Sequence, residues 1–192
     1  MDVCTLYSDF NCPFCYALHE RLHELDVMDR IEWRGVQHAP HLPVPMVTWG
    51  GHLGVELKQE VEMVRRLAPE LSITVPMGKP NTGLAIAAAA RALQLDRSRG
   101  SMFVRALYRR FWCDGQDLSD REVLRKEALL RGFSAEQLVE ARATPVDRLL
   151  KTWGDQWEEA EHQGVPLLQR QDGRLLVGLV SIETLNTFVA GM

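Results

Sequence analysis

Val3-Cys4-Thr5-Leu6-Tyr7 is a run of β-branched, aromatic and apolar residues, which predicts a short strand buried on both faces. Ser8-Asp9-Phe10-Asn11 forms a turn, and from Cys12 the spacing changes. Phe14, Leu18, Leu22 and Leu25 recur at helical intervals, while His19, Glu20, Arg21, His23 and Glu24 fill the other side. Pro13 suits the first helical position, where its missing N–H costs nothing. Ile31 to Val36 alternates as a second strand, so the chain starts with a βαβ unit whose right-handed crossover makes its strands parallel. Pro40 to Gly51 carries prolines and glycines without periodicity and reads as a loop.

A helical block follows. Val55 to Leu67 is amphipathic, Thr82 is positioned to cap a helix through Leu95, and Met102 to Trp112 makes another. Ser119-Asp120-Arg121-Glu122 and Ser134-Ala135-Glu136-Gln137 are capping-box signatures, and Thr144-Pro145 starts a longer helix ending near Gly164. Strands return at Leu167 to Arg170 and Leu175 to Val180, flanking the hairpin signal Asp172-Gly173. Ser181 with Glu183 caps a last helix to about Ala190. The order βαβ, helices, ββα predicts a single α/β domain over residues 1–192. A helical insertion at about 51–143 interrupts a core made of 1–50 and 144–192.

Of the 192 residues, 46% are hydrophobic and 25% charged, which excludes disordered and low-complexity classes. The net charge of −4 has the wrong sign for a phosphate backbone, so nucleic acid is not an expected partner. Even the alanine-rich run Leu84 to Leu95 is broken by Arg91 and Gln94, so no membrane span is expected. Met1-Asp2-Val3-Cys4 shows no basic or long apolar leader, which makes the cytoplasm the expected compartment.

Four cysteines, Cys4, Cys12, Cys15 and Cys113, are too few and too unevenly spaced for a disulfide framework. Cys12-Pro13-Phe14-Cys15 lies where a strand gives way to a helix. Unpaired N–H groups and the positive end of the helix dipole favour a thiolate there, so Cys12 is the expected nucleophile. Cys15 is about one turn further on the same side and can resolve a mixed disulfide formed at Cys12. Phe14 offers the thiolate neither charge nor hydrogen bond, which leaves its stabilisation to the helix terminus. The alternative is a binding module in which the pair is half of a zinc site, but such a site needs four ligands and the chain has no second close pair. Neither metal nor organic cofactor is expected.

His38-Ala39-Pro40-His41 with nearby His52 is either a metal site or a solvated or site-lining loop, and the loop reading is favoured. His19 and His23, four residues apart, either bind metal, tune Cys12, or occupy an exposed helix face, the last being favoured. Arg91, Arg97, Arg99, Arg105, Arg109 and Arg110 read as a mixed solvated surface, and Cys4 and Cys113 as small buried hydrophobes. Trp33, Trp49, Trp112, Trp153 and Trp157 read as core and helix-packing residues, with the wall of a hydrophobic substrate groove as the alternative for Trp49 in its loop.

Together, Ser8-Asp-Phe-Asn-Cys-Pro-Phe-Cys-Tyr16, Pro80-Asn-Thr-Gly-Leu-Ala85, and Gly164-Val-Pro166 with Gly178 and Ser181 span essentially the whole chain. This pattern resembles the DsbA-like branch of the thioredoxin superfamily, which includes the cytosolic FrnE-like proteins and the 2-hydroxychromene-2-carboxylate isomerases. The resemblance implies a thioredoxin-like fold with a large helical insertion. It also implies a cis bond before Pro166, which packs beside the cysteines and shapes the site with Pro13 and Phe14. Val165 would offer main-chain hydrogen bonds to an extended substrate. The implied activity is thiol–disulfide exchange with protein or low-molecular-weight thiols, glutathione being a candidate cosubstrate. The alternative is a glutathione-dependent isomerase or transferase acting on a small aromatic molecule. Two departures bear on it: those enzymes usually carry serine where this chain has Cys12, and their polar glutathione-binding run is replaced by Gly178-Leu179-Val180-Ser181.

Overall fold

The computed structural model describes residues 3–140, 145–160 and 164–191. Among them four strands, β1 (Cys4–Ser8), β2 (Ile31–Gly35), β3 (Leu167–Gln169) and β4 (Leu175–Val177), form one sheet in the order β2-β1-β3-β4. β1 and β2 are parallel with Leu6 opposite Trp33, and β3 runs antiparallel to both β1 and β4. Parallel pairing requires a crossover, supplied by helix α1 (Pro13–Glu24). Because β1 is central, Cys4, Leu6, Tyr7 and Ser8 are all buried, which explains its nearly unbroken apolar run. β4 stops at Val177 because Gly178 turns the chain with φ +76°, so the second hairpin strand is shorter than its apolar run predicts.

The helical block comprises α2 (Gly51–Leu67), α3 (Gly83–Leu95), α4 (Arg97–Trp112) and α5 (Arg121–Leu130), followed by α6 (Pro145–Glu158); α7 (Ile182–Ala190) closes the fold. The alanine-rich α3 is buried along Ala85, Ala88, Ala89, Ala90 and Ala92, and its small side chains let α4 approach closely. At Gly100 on α4 a Cβ would lie 2.6 Å from the backbone of Leu93, a separation that only glycine permits. No helix among the described residues is long and apolar enough to cross a membrane.

Several helix starts differ from the sequence expectation, each for a local reason. α4 begins at Arg97 rather than Met102, because the Asp96 carboxylate accepts the Arg99 N–H at 2.9 Å and caps five residues that show no apolar period. α2 begins at Gly51, ahead of Val55. Thr82 makes no side-chain cap bond; Asn81 Oδ1 instead accepts the Gly83 N–H at 3.1 Å. Ser119 turns back to Asp117, and Asp120 caps α5 by accepting the Glu122 N–H at 2.8 Å. The capping box at Ser134 leads into a π-helical turn, Glu136–Glu140. α6 ends at Glu158, short of Gly164, while Thr144 and the 143/144 boundary of the insertion lie outside the described residues.

Ion pairs and capped carbonyls tie the block to α1 and to the start of β2: the solvated-surface reading is corrected for the half-buried Arg91, Arg105 and Arg110, while Arg97, Arg99 and Arg109 are exposed as it expects. Arg105 grips Glu20 of α1 with two hydrogen bonds at 2.9 and 2.8 Å, and Arg97 caps the carbonyls of Asp29 and Ile31. Arg110 and Arg131 both bind the buried Glu127, and Arg91 bonds the Leu138 carbonyl. These guanidinium groups sit where elements meet, each offering several donors to the carbonyls and carboxylates there.

Candidate active site

The cysteine pair stands at the start of α1. Cys12 is extended (φ −100°, ψ 119°), its N–H bonds the Asp9 carbonyl at 3.3 Å, and Pro13 begins the helix. Its side chain is not a formal cap, yet the Cys15 thiol and backbone amide both approach the Cys12 sulfur. Cys12 is 7% exposed and Cys15 wholly buried, so the outer cysteine is more enclosed than a helix terminus alone suggests. The Cys15 thiol donating to Cys12, opposed by burial and helped by the Cys15 amide and the positive charge of His38 and Lys79, lowers the Cys12 pKa. Burial, and that same donation to Cys12, push Cys15 well above the ordinary thiol range.

Pro166 and Val165 come to the pair from the other half of the fold. The Val165–Pro166 peptide is cis, and the Val165 carbonyl lies 3.5 Å from Cys12 Sγ. Pro13 and Pro166 are buried beside the cysteines and Phe14 is half-buried. Positive charge also reaches Cys12, beyond the helix terminus expected to act alone. Asp9, in the turn after β1, is fully buried, and its Oδ2 accepts both the His38 backbone N–H at 3.0 Å and ring Nδ1 at 2.7 Å. Burial pushes the His38 pKa down, but Asp9 and Cys12 together carry it above its ordinary value. Lys79 bonds Glu60 at 2.6 Å, and its ammonium lies 5.9 Å from the Trp49 ring centre.

A groove of about 430 Å³ opens beside these residues, lined by His38, His41, Leu42, Trp49, Leu53 and Lys79. The His38 loop therefore flanks the cysteine site, whereas His52 is 83% exposed and paired with Glu56. Among the described residues no three His, Cys, Asp or Glu side chains are grouped as a metal site requires. Substituting His38→Ala removes one of the charges that lower Cys12. The pH at which Cys12 becomes alkylated by iodoacetamide should rise, and the rate at pH 6 should fall about threefold.

Two sequence readings are corrected. His19 and His23 do not occupy an exposed helix face: His19 is wholly buried, its ring 4.9 Å from Tyr108 and 4.7 Å from His23. The helix carrying them packs against α4, so a stripe of polar letters was turned inward. Burial first, then His23 and Arg105, hold the His19 pKa well below its usual value, and burial with Arg105 lowers His23 to about 4. Cys113 is partly exposed rather than buried, its thiol donating to the Ser72 carbonyl at 3.3 Å. Asp9 and Lys79 were not singled out from the sequence. Asp9 stood three residues from Cys12 as a visible carboxylate, whereas nothing local to Lys79 signals its approach.

A cysteine pair at the first turn of a helix, facing a cis-proline loop on a β2-β1-β3-β4 sheet, defines a protein of the thioredoxin-fold class with a helical insertion. The chain belongs to the family of DSBA-like thioredoxin domains, whose model matches residues 3–190. No curated protein matches significantly by sequence. Among solved structures, the chain is similar to a Nitrosomonas europaea protein described as a protein disulfide isomerase, at 13% identity and TM-score 0.80, covering 99% of this chain and 96% of that one. It is also similar to the cytosolic disulfide reductase DsbM from Pseudomonas aeruginosa with glutathione, at 14% identity and TM-score 0.74, covering 98% of each chain. A 2-hydroxychromene-2-carboxylate isomerase aligns at 16% identity and TM-score 0.69, covering 99% of this chain and 94% of that one.

Proposed function

We propose that the protein is a thiol–disulfide oxidoreductase of the cytoplasm that exchanges disulfides with protein or low-molecular-weight thiols such as glutathione. The observation that carries this reading is the Cys12–Cys15 pair at the head of α1, enclosed beside the cis Val165–Pro166 peptide with the Val165 carbonyl 3.5 Å from Cys12 Sγ. Cys12 thiolate attacks a substrate disulfide RS–SR′, forming Cys12–S–SR and releasing R′S⁻, which takes a proton. Cys15 then attacks Cys12, the Cys12–SR bond breaks, and RSH departs, so that two electrons pass from the cysteine pair to the substrate. Run backwards, the same steps oxidise a dithiol. Pro166 walls the site, and Val165 pairs its main chain with an extended substrate as an added strand would. The fold's likeness to DsbM, solved with glutathione, supports glutathione as cosubstrate. Four free cysteines suit a reducing compartment.

The test is equilibration in glutathione buffers spanning about −120 to −300 mV, a range that covers known members of this chemistry. The expected result is a cooperative loss of two hydrogens by mass, with Cys12 and Cys15 joined in one peptide pair. A pair that stays reduced throughout, or retains stoichiometric zinc through dialysis, would overturn the reading.

The groove between the His38 loop and α2 favours one second reading, a glutathione-dependent isomerase or transferase that holds a small aromatic molecule there. Glutathione-dependent turnover of a chromene-type substrate that survives Cys12→Ser would select it.

A further inference from the structure

A cavity of about 460 Å³ lies between the second half of α1, the turn Met28–Arg30, the start of β2 and the first half of α4. That volume suits a small organic molecule. The cavity shares no lining residue with the groove beside Cys12. Much of its wall is apolar, made by Met28, Ile31, Trp33, Leu93, Met102 and Val104.

Its polar groups are unmatched. Nδ1 and Nε2 of His19, Nε2 of His23 and Oγ of Ser101 are buried, line this cavity, and have no hydrogen-bond partner among the described residues. His19 is wholly buried, and its ring centre lies 4.7 Å from that of His23, so the two rings form one polar patch on α1. Ser101 adds a hydroxyl from α4. Burial holds both imidazoles neutral at neutral pH. A neutral imidazole carries one N–H and one bare nitrogen, so His19 presents a donor and an acceptor together, and the Ser101 hydroxyl can serve as either. Whatever fills the polar end must therefore both donate and accept.

Charge is disfavoured there. Asp26 and Asp29 stand exposed at the rim and repel an anion, while the Arg97 guanidinium is committed to the carbonyls of Asp29 and Ile31. An organic cation would exchange water for neutral rings and an apolar wall. Nor does a third His, Cys, Asp or Glu among the described residues join the pair as a metal ligand.

We propose that this cavity is a binding site for a small uncharged molecule with an apolar ring and a hydroxyl or amide at one end, the polar end meeting His19, His23 and Ser101. The ring replaces water against Met28, Ile31, Leu93 and Met102, and the hydroxyl or amide supplies the donor and acceptor that the imidazoles lack. The site stands apart from the cysteine pair and does not rest on the oxidoreductase reading.

The experiment titrates reduced, ¹⁵N-histidine-labelled protein with phenol at neutral pH and follows the ring nitrogens by NMR. Saturable shifts are expected at His19 and His23, and none at His38. Toluene, the same ring without the hydroxyl, should bind about tenfold more weakly, as expected for losing one or two hydrogen bonds. Benzoate, which brings a negative charge, should bind more weakly than phenol. In His19→Leu the advantage of phenol over toluene should disappear. Ser101→Ala should reduce that advantage several-fold, and it decides the matter should His19→Leu not fold. Toluene or benzoate binding as tightly as phenol to the wild type, or no saturable shift at all, would overturn the proposal. So would shifts at His38, which place the molecule in the groove beside Cys12, or zinc saturating His19 and His23 at one equivalent where phenol does not, which makes the pair a metal site.

Discussion

Replacing Cys12 by Ser should lower thiol–disulfide exchange by at least about a thousandfold, since a serine hydroxyl stays protonated at neutral pH and forms no disulfide. Cys15→Ser should behave differently. It keeps the attacking sulfur and removes the resolving one, so the protein should accumulate as a stable adduct with glutathione or a substrate thiol, visible by mass and released by reductant. The asymmetry follows from the site: Cys12 reaches solvent and has a lowered pKa, while Cys15 is wholly enclosed with its pKa raised. Alkylation of the reduced wild-type protein near pH 7 should therefore go first to Cys12. Exchange that persists without Cys12, or an adduct that forms on Cys15 in its absence, would reverse the assignment of nucleophile and resolver. Cys15→Ser keeps a hydroxyl able to donate to Cys12, so its first step should be retained.

The parts of this fold visible in the sequence are those set by local periodicity and turn chemistry. β1 reads as a central strand because Val3 to Tyr7 is β-branched, aromatic or apolar with no charged residue, and Asp172-Gly173 announces the hairpin because Gly173 takes φ +86°. The cysteine pair was legible for the same reason, its chemistry depending on a strand-to-helix junction that the flanking residues encode. What stayed hidden depends on contacts between distant segments. Arg97 to Ser101 shows no apolar period, yet α4 begins there because a single carboxylate caps it. His19 looks solvent-facing on its own helix, but α4 covers that side with Tyr108 and Arg105. Lys79 reaches Cys12 from across the tertiary fold and carries no signature in its own neighbourhood. His38 was flagged as part of a loop beside the site, but its partner Asp9 could be found only once β1 and that loop were placed together.

Acid should destabilise the protein through His19. It is wholly buried, neither ring nitrogen has a hydrogen-bond partner among the described residues, and its pKa is held well below the ordinary value by burial, His23 and Arg105. In the unfolded chain the same side chain titrates near ~6.5. Above that pH both states are neutral there and the group imposes no penalty. Below it the unfolded chain takes up a proton that the folded chain refuses, so stability falls with pH until the folded value is reached. His23, lowered to about 4, acts in the same direction between about pH 6.5 and 4, although its partial exposure weakens the effect. His38 opposes both, because its raised pKa makes the folded state the better proton acceptor. His19→Leu should be neutral or slightly stabilising at pH 7.5, since it removes an unpartnered polar ring. At pH 4.5 it should be more stable than wild type by up to about 2.7 kcal/mol, the cost of two pH units below the unfolded value. Urea unfolding of both proteins at the two pH values measures the difference, and the titrating groups that do not touch His19, being common to both chains, cancel from it. An equal loss of stability in His19→Leu and wild type would mean that His19 takes up its proton in the folded state without cost.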